Sequence, residues 1–125
     1  MEKKHVIITA LFGLVLLSNP LFAQKLLTDK PAAERAKMQT QRMASILKLD
    51  SAQIRKVESI NLVYARKLDP IMLGNANKMS KLKAVRALQS EKEAELKQVL
   101  SQEQFNQFKQ QQQERKDEIR KNRKS

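Results

Sequence analysis

The reactive side chains of this chain are mostly amines and guanidiniums. Twenty-five Lys and Arg stand against 13 Asp and Glu, with one His and no Cys. The histidine, His5, lies near the N-terminus. Beyond it there is neither an imidazole base nor a thiol nucleophile, which excludes catalysis of the His- or Cys-dependent kinds. An ordinary zinc, copper or haem site has almost no ligands to draw on. Gly13 and Gly74 are the only glycines, so there is no glycine-rich phosphate loop. These absences argue against an enzyme and against a cofactor. What remains is charge capture and apolar contact.

A second set of residues stands out by spacing. Leu49-Asp50-Ser51-Ala52-Gln53 and Leu100-Ser101-Gln102-Glu103-Gln104 share a leucine, a capping residue, two variable positions and a glutamine. A cap followed three residues later by Gln is the pattern of a capping box. The cap side chain accepts from the backbone N–H three residues on, and the Gln returns to the N–H of the cap. Each copy therefore predicts a helix start and has a structural role.

The elements between these starts read as helical throughout: Ala, Leu, Lys, Gln and Glu dominate, and β-branched residues do not alternate. The first helix is predicted from about Pro31, a residue suited to a first turn, to Leu47. Ala36, Met43, Ile46 and Leu47 form its weak apolar stripe. The second is predicted over Ser51 to Leu68, with Ile54, Val57, Ile60, Tyr64 and Leu68 on one face and Leu62 and Val63 widening it. Asp69-Pro70 is expected to end it, because the residue before proline is pushed out of helical geometry. A loop over Asp69 to Asn77 follows. It carries Ile71, Met72 and Leu73, which either tuck onto the core or form an adaptable contact surface.

The third helix, from about Asn77 to Val99, is long. Leu82, Val85, Leu88, Leu96 and Val99 share a face on which Lys92 takes an apolar position. Lys78, Lys81, Lys83 and Arg86 crowd its start while Glu91, Glu93 and Glu95 lie in its second half, the reverse of what the helix dipole favours. A fourth helix is predicted from Ser101, with Phe105 and Phe108 on one face. Residues 109–125 read as a basic, Gln-rich, partly disordered tail, a solvated helix that frays near Lys121.

The N-terminus predicts the compartment. Lys3, Lys4 and His5 precede an apolar run from Val6 to Leu17, then Ser18-Asn19-Pro20 and Leu21-Phe22-Ala23. This is the layout of a secretory signal peptide over 1–23, cleaved after about Ala23. The run is too short for a membrane span, which needs about 20 apolar residues. No stable membrane insertion is expected after cleavage, and a periplasmic location follows. Without cysteine there is no lipid attachment at an N-terminal Cys and no disulfide. Removing Lys3, Lys4 and Glu2 from the totals leaves 23 basic and 12 acidic residues, a net charge of +11 over 24–125. Such a charge usually points to nucleic acid. Export argues against that and leaves membrane surfaces, acidic polysaccharide, and acidic or unfolded polypeptides. Large apolar residues make up about a quarter of 24–125, thin for a compact single-domain bundle. A homodimer sharing apolar faces is the simplest remedy.

With both repeats at helix starts, the chain resembles the LTxxQ-motif family of exported helical proteins, whose members include Spy-type periplasmic chaperones and CpxP-type stress regulators. The matching residues are Leu49, Asp50 and Gln53, then Leu100, Ser101 and Gln104. Asp50 and Ser101 replace the threonine, and both can cap. The resemblance spans most of 38–115. It implies an all-α, thin, cradle-like dimer without a cofactor, which binds unfolded or partly folded envelope proteins without ATP in the envelope stress response. The alternative it implies is a CpxP-like regulator that binds the exported sensor domain of a stress-responsive histidine kinase. Zinc association in some relatives depends on histidine-rich segments, which 24–125 lacks. Charge and position, independently of the motif, nominate client contacts: the basic Arg55, Arg66, Lys67, Lys81, Lys83 and Arg86, and the apolar Leu62, Met72, Leu73 and Met79.

Overall fold

The computed structural model describes residues 30–124. They form four helices, α1 (Ala32–Leu47), α2 (Ser51–Leu73), α3 (Lys78–Val99) and α4 (Gln102–Lys124), with no strand among the described residues. The fold is all-α. The expected signal peptide lies outside the described residues. No helix among those described is long and apolar enough to cross a membrane.

Both capping boxes form. The Gln53 N–H donates to Asp50 Oδ1 over 2.8 Å, and the Asp50 N–H donates to Gln53 Oε1 over 3.1 Å. At α4 the Gln104 N–H donates to Ser101 Oγ over 3.1 Å, and the Ser101 N–H to Gln104 Oε1 over 2.9 Å. Between them α3 starts on Asn77, whose side chain accepts from the Ser80 N–H. Pro31 stands just before the first turn of α1, where its carbonyl accepts from the Arg35 N–H and no side chain caps the helix. α1 ends on Lys48, held in left-handed geometry at φ 54°.

α2 departs from the sequence-based expectation. It continues through Pro70 to Leu73, leaving only residues 74–77 as the link to α3. A proline inside a helix removes one backbone hydrogen bond and crowds the carbonyl four residues back. Tertiary contacts sustain the extra turn. Asp69 is ion-paired with Arg35 of α1, Ile71 and Met72 are half-buried, and Lys81 Nζ of α3 donates to the Met72 carbonyl over 2.9 Å. Gly74 follows where a Cβ would meet the Pro70 carbonyl oxygen at 2.8 Å.

α4 is helical to Lys124, through the stretch that the sequence reads as a solvated helix. Gln110 and Gln113 each donate to an acid four residues on, Glu114 and Asp117. Glu103 in the first turn and Lys121, Arg123 and Lys124 in the last suit the helix dipole.

Short links make successive helices antiparallel. Arg35 at the start of α1 meets Asp69 near the end of α2, and Gln53 at the start of α2 meets Val99 at the end of α3. The core gathers where α1 and α3 end and α2 and α4 begin. Met43, Leu47, Leu49, Val57, Leu96 and Leu100 are buried there, with Phe105, Phe108 and other half-buried apolar residues packed around them. The predicted α1 stripe is completed by Thr40 and Arg35, both buried. Val63, placed on the α2 core face from its pattern, is instead 46% exposed.

Candidate functional site

The two repeats meet in space. Gln53 Nε2 donates to Gln104 Oε1 over 2.7 Å, and Gln104 Nε2 lies 3.3 Å from Gln53 Oε1. Each amide also reaches the end of another helix: Gln53 donates to the Val99 carbonyl and Gln104 to the Leu47 carbonyl, both over 3.2 Å. Gln107 adds a bond to the Ile46 carbonyl. One pair of side chains thus caps two helix starts and satisfies carbonyls at two helix ends, groups that a helix cannot satisfy by itself. Leu49 and Leu100, the leucines of the two copies, are buried beneath. The motif is a clamp between the α1–α2 and α3–α4 hairpins.

The client-contact candidates fall mostly at the other end. Arg66, Lys67, Met72 and Leu73 lie in the last two turns of α2, and Met79, Lys81, Lys83 and Arg86 in the first three turns of α3. Across the 74–77 turn they share one end of the hairpin. Leu73 is 50% exposed and Met79 70% exposed. Arg66, Lys67, Lys83 and Arg86 are exposed along the same two helices, and the Lys67 ammonium sits 5.0 Å from the centre of the Tyr64 ring. Three candidates behave differently. Arg55 lies in the second turn of α2, 18 residues from Leu73, which places it about 27 Å away along the helix. Leu62 is half-buried mid-helix. Lys81 is half-buried, with its ammonium engaged on the Met72 carbonyl. Ile71 and Met72 tuck inward while Leu73 points out, so the two readings of this apolar trio divide between its members.

Between this open end and the core is a cleft that sequence reasoning did not find. It is lined by Arg35 and Gln39 of α1, Tyr64, Ala65 and Leu68 of α2, and Val85, Leu88, Gln89 and Lys92 of α3. Lys92 takes the apolar register position and is buried. That burial pushes its amine down to about 8, against a smaller opposing pull from Glu93. The neighbouring Glu95, as a hydrogen-bonding partner and as a charge, together with burial and the charge of Glu91, pushes the Tyr64 phenol up to about 12. Farther in, Asn61 is fully buried and donates to Thr40 Oγ1 over 2.9 Å, while its Oδ1 has no partner. Where α4 lies along α1, burial lowers both Arg42 and Arg115. The nearness of Arg42 lowers Arg115 further, with Glu114 opposing. Among the described residues there is no group of three or more His, Cys, Asp or Glu that could hold a metal.

The sequence model of a domain of unknown function, DUF4890, covers residues 23–125. The chain belongs to the DUF4890 family. No curated protein and no solved structure matches it. This DUF4890 domain thus has a clamped core end, an open end with exposed apolar and basic side chains, and between them a cleft whose walls are mainly apolar.

Proposed function

We propose that this DUF4890 protein is an ATP-independent chaperone of the periplasm, of the LTxxQ type, which holds unfolded or partly folded clients on an amphiphilic surface. The observation that carries the reading is the open end of the α2–α3 hairpin. There Leu73 and Met79 are exposed on the same two helices as Arg66, Lys67, Lys83 and Arg86. Clustered cations raise the rate of encounter with acidic or extended chains. Exposed Leu and Met then offer contacts that adapt to many sequences, methionine especially. The long stems of Lys and Arg add apolar area while their charges stay in water. The interlocked Leu–cap–x–x–Gln repeats support kinship with the LTxxQ family. The matched span begins at Ala23, where the signal peptide is expected to end, which supports export.

The test is suppression of aggregation of a chemically denatured client by the purified protein at equimolar ratio, without nucleotide and alongside its oligomeric state. Suppression is expected to weaken when Leu73 and Met79 are both changed to Ser, and association is expected to slow as salt is added. No suppression even at low salt overturns the reading. A pull-down from envelope extract that yields one dominant acidic sensor domain, in place of a spread of clients, favours the regulatory alternative.

A further inference from the structure

The charges of α4 are sorted around its axis. At about 3.6 residues per turn, Lys109, Lys116, Arg120 and Arg123 fall within about 60° of the helix circumference, in a straight row about 21 Å long. Gln102, Asn106 and Gln113 continue the same flank, so no acid interrupts it. Glu103, Glu114, Asp117 and Glu118 are turned away from the row, and Gln110 and Gln113 donate to Glu114 and Asp117. The half-buried edge of the helix, with Phe108, Arg115 and Ile119, faces a third direction.

The row is exposed at each of its positions. Lys109 at its start is ion-paired with Glu93 of α3. Lys116, Arg120 and Arg123 form no ion pair or hydrogen bond among the described residues, and Lys124 adds an exposed cation beside Arg120. Like charges three and four residues apart weaken a helix, and mixing the signs around α4 would avoid that cost. A local rule broken without a gain in the fold points to a use outside it. No apolar side chain stands on this flank between Lys109 and Lys124, which sets it apart from the open end, where Leu73 and Met79 are exposed. An unfolded client is held by apolar contact as well as charge, and single-stranded nucleic acid by aromatic side chains on which bases stack. The row offers neither. A straight, one-sided row of long cationic side chains fits a flat array of anions, which all of them can reach together.

We propose that α4 docks by its basic flank on the surface of a bilayer that contains anionic lipids, lying along that surface without entering the hydrocarbon. The side chains of Lys116, Arg120, Arg123 and Lys124 meet the lipid phosphates, each adding roughly fivefold in affinity, and the acids of α4 are turned away from the contact. This surface is separate from the client surface proposed on α2 and α3 and does not depend on it. It holds the protein at a membrane, whatever its clients.

The experiment is co-sedimentation of the purified protein with vesicles of phosphatidylcholine alone and of phosphatidylcholine mixed with phosphatidylglycerol. Binding is expected only to the mixed vesicles, and added salt should release it, because the contact is electrostatic. Lys116→Gln, Arg120→Gln and Arg123→Gln together should weaken binding about a hundredfold. Lys37→Gln, Lys56→Gln and Lys78→Gln together remove the same charge from exposed positions on α1, α2 and α3. They should leave binding within about threefold, since charges beyond a Debye length are screened. A melting curve for each variant shows that it folds. The row variant should suppress client aggregation as well as the unaltered protein does, so this proposal and the chaperone reading fail separately. No binding to either vesicle, equal binding to both, full binding by the row variant, or equal losses in the two triple variants overturns the proposal. Binding of soluble polyglutamate through the row, with no binding to vesicles, overturns it too and assigns the flank to an acidic polypeptide.

Discussion

The two ends of the α2–α3 hairpin are built from the same helices and solve opposite problems. At the clamped end, both capping boxes, the Gln53–Gln104 bonds and the six-residue buried cluster coincide, and α4 closes over them with Phe105 and Phe108. At the open end, a four-residue turn joins helices whose apolar residues are exposed or half-buried, and whose charges run against the α3 dipole. A small helical domain has too little core to be rigid everywhere. Concentrating the packing at one end leaves the other to carry an apolar and cationic surface without unravelling the fold. The segments that move or bind are expected to come from the less densely packed part of a structure.

The sharpest way to break this contrast is to remove the same side chain from each end. Leu96 is fully buried in the core cluster and Leu73 is half exposed. Leu96→Ala is expected to destabilise the protein by about 2–5 kcal/mol, through lost transfer energy and a residual cavity. Leu73→Ala is expected to stay within about 0.5 kcal/mol. Urea denaturation of both variants measures the difference. Similar losses would mean that the open end is covered, by a second copy or otherwise.

The next largest effect is expected midway between the two ends. Lys92 has a folded-state value of about 8 against an ordinary 10.5. A lysine lowered on folding costs stability fully below about pH 8. The cost is relieved as pH rises from 8 to 10.5, because the unfolded chain binds more protons across that window. Lys92→Met is therefore expected to stabilise the protein at pH 7, and by progressively less towards pH 10.5. Stability curves at pH 7 and pH 10 check the sign.

These residues also show what could be read in advance. Both helix starts were legible, because a capping box is a contact over three residues written into local sequence. So was the odd register of Lys92, because helical periodicity places it among leucines. The cleft beside it was not, since Arg35, Tyr64 and Lys92 come from three helices whose relative placement no local pattern encodes. The turn through Pro70 escapes local sequence for the same reason. Local sterics argue for a stop at Asp69, and the Arg35–Asp69 pair and the Lys81 bond to the Met72 carbonyl override them from a distance. The clamp lies between these cases. Each glutamine's capping role was visible, and the bond between the two, across 51 residues, was not.

That bond separates a cap at the clamped end from a cap at the open end. Asn77→Ala removes only the Asn77 side-chain bond to the Ser80 N–H, and is expected to cost about 1 kcal/mol. Gln104→Ala removes the capping return to Ser101, the bonds to Gln53 and the bond to the Leu47 carbonyl. It is expected to cost about 1–3 kcal/mol, because half-buried partners are left unsatisfied. A double-mutant cycle between Gln53→Ala and Gln104→Ala should give a coupling of about 0.5–3 kcal/mol. Zero coupling would reduce the clamp to two independent caps.

The smallest effect concerns how tightly the clamped end is made. Lys48 ends α1 in left-handed geometry, with its N–H and that of Leu49 both directed to the Ala44 carbonyl. A side chain in that conformation is disfavoured by about 1–2 kcal/mol, and glycine is the usual occupant of such a helix end. Glycine also gives the unfolded chain more freedom, which offsets part of the gain. Lys48 is exposed and forms no ion pair among the described residues, so little else is lost with its side chain. Lys48→Gly is expected to stabilise the protein by about 0.5–1 kcal/mol, read as a rise in melting temperature. A loss of stability would mean that the lysine itself holds this turn, and that the clamped end depends on more than its caps and core.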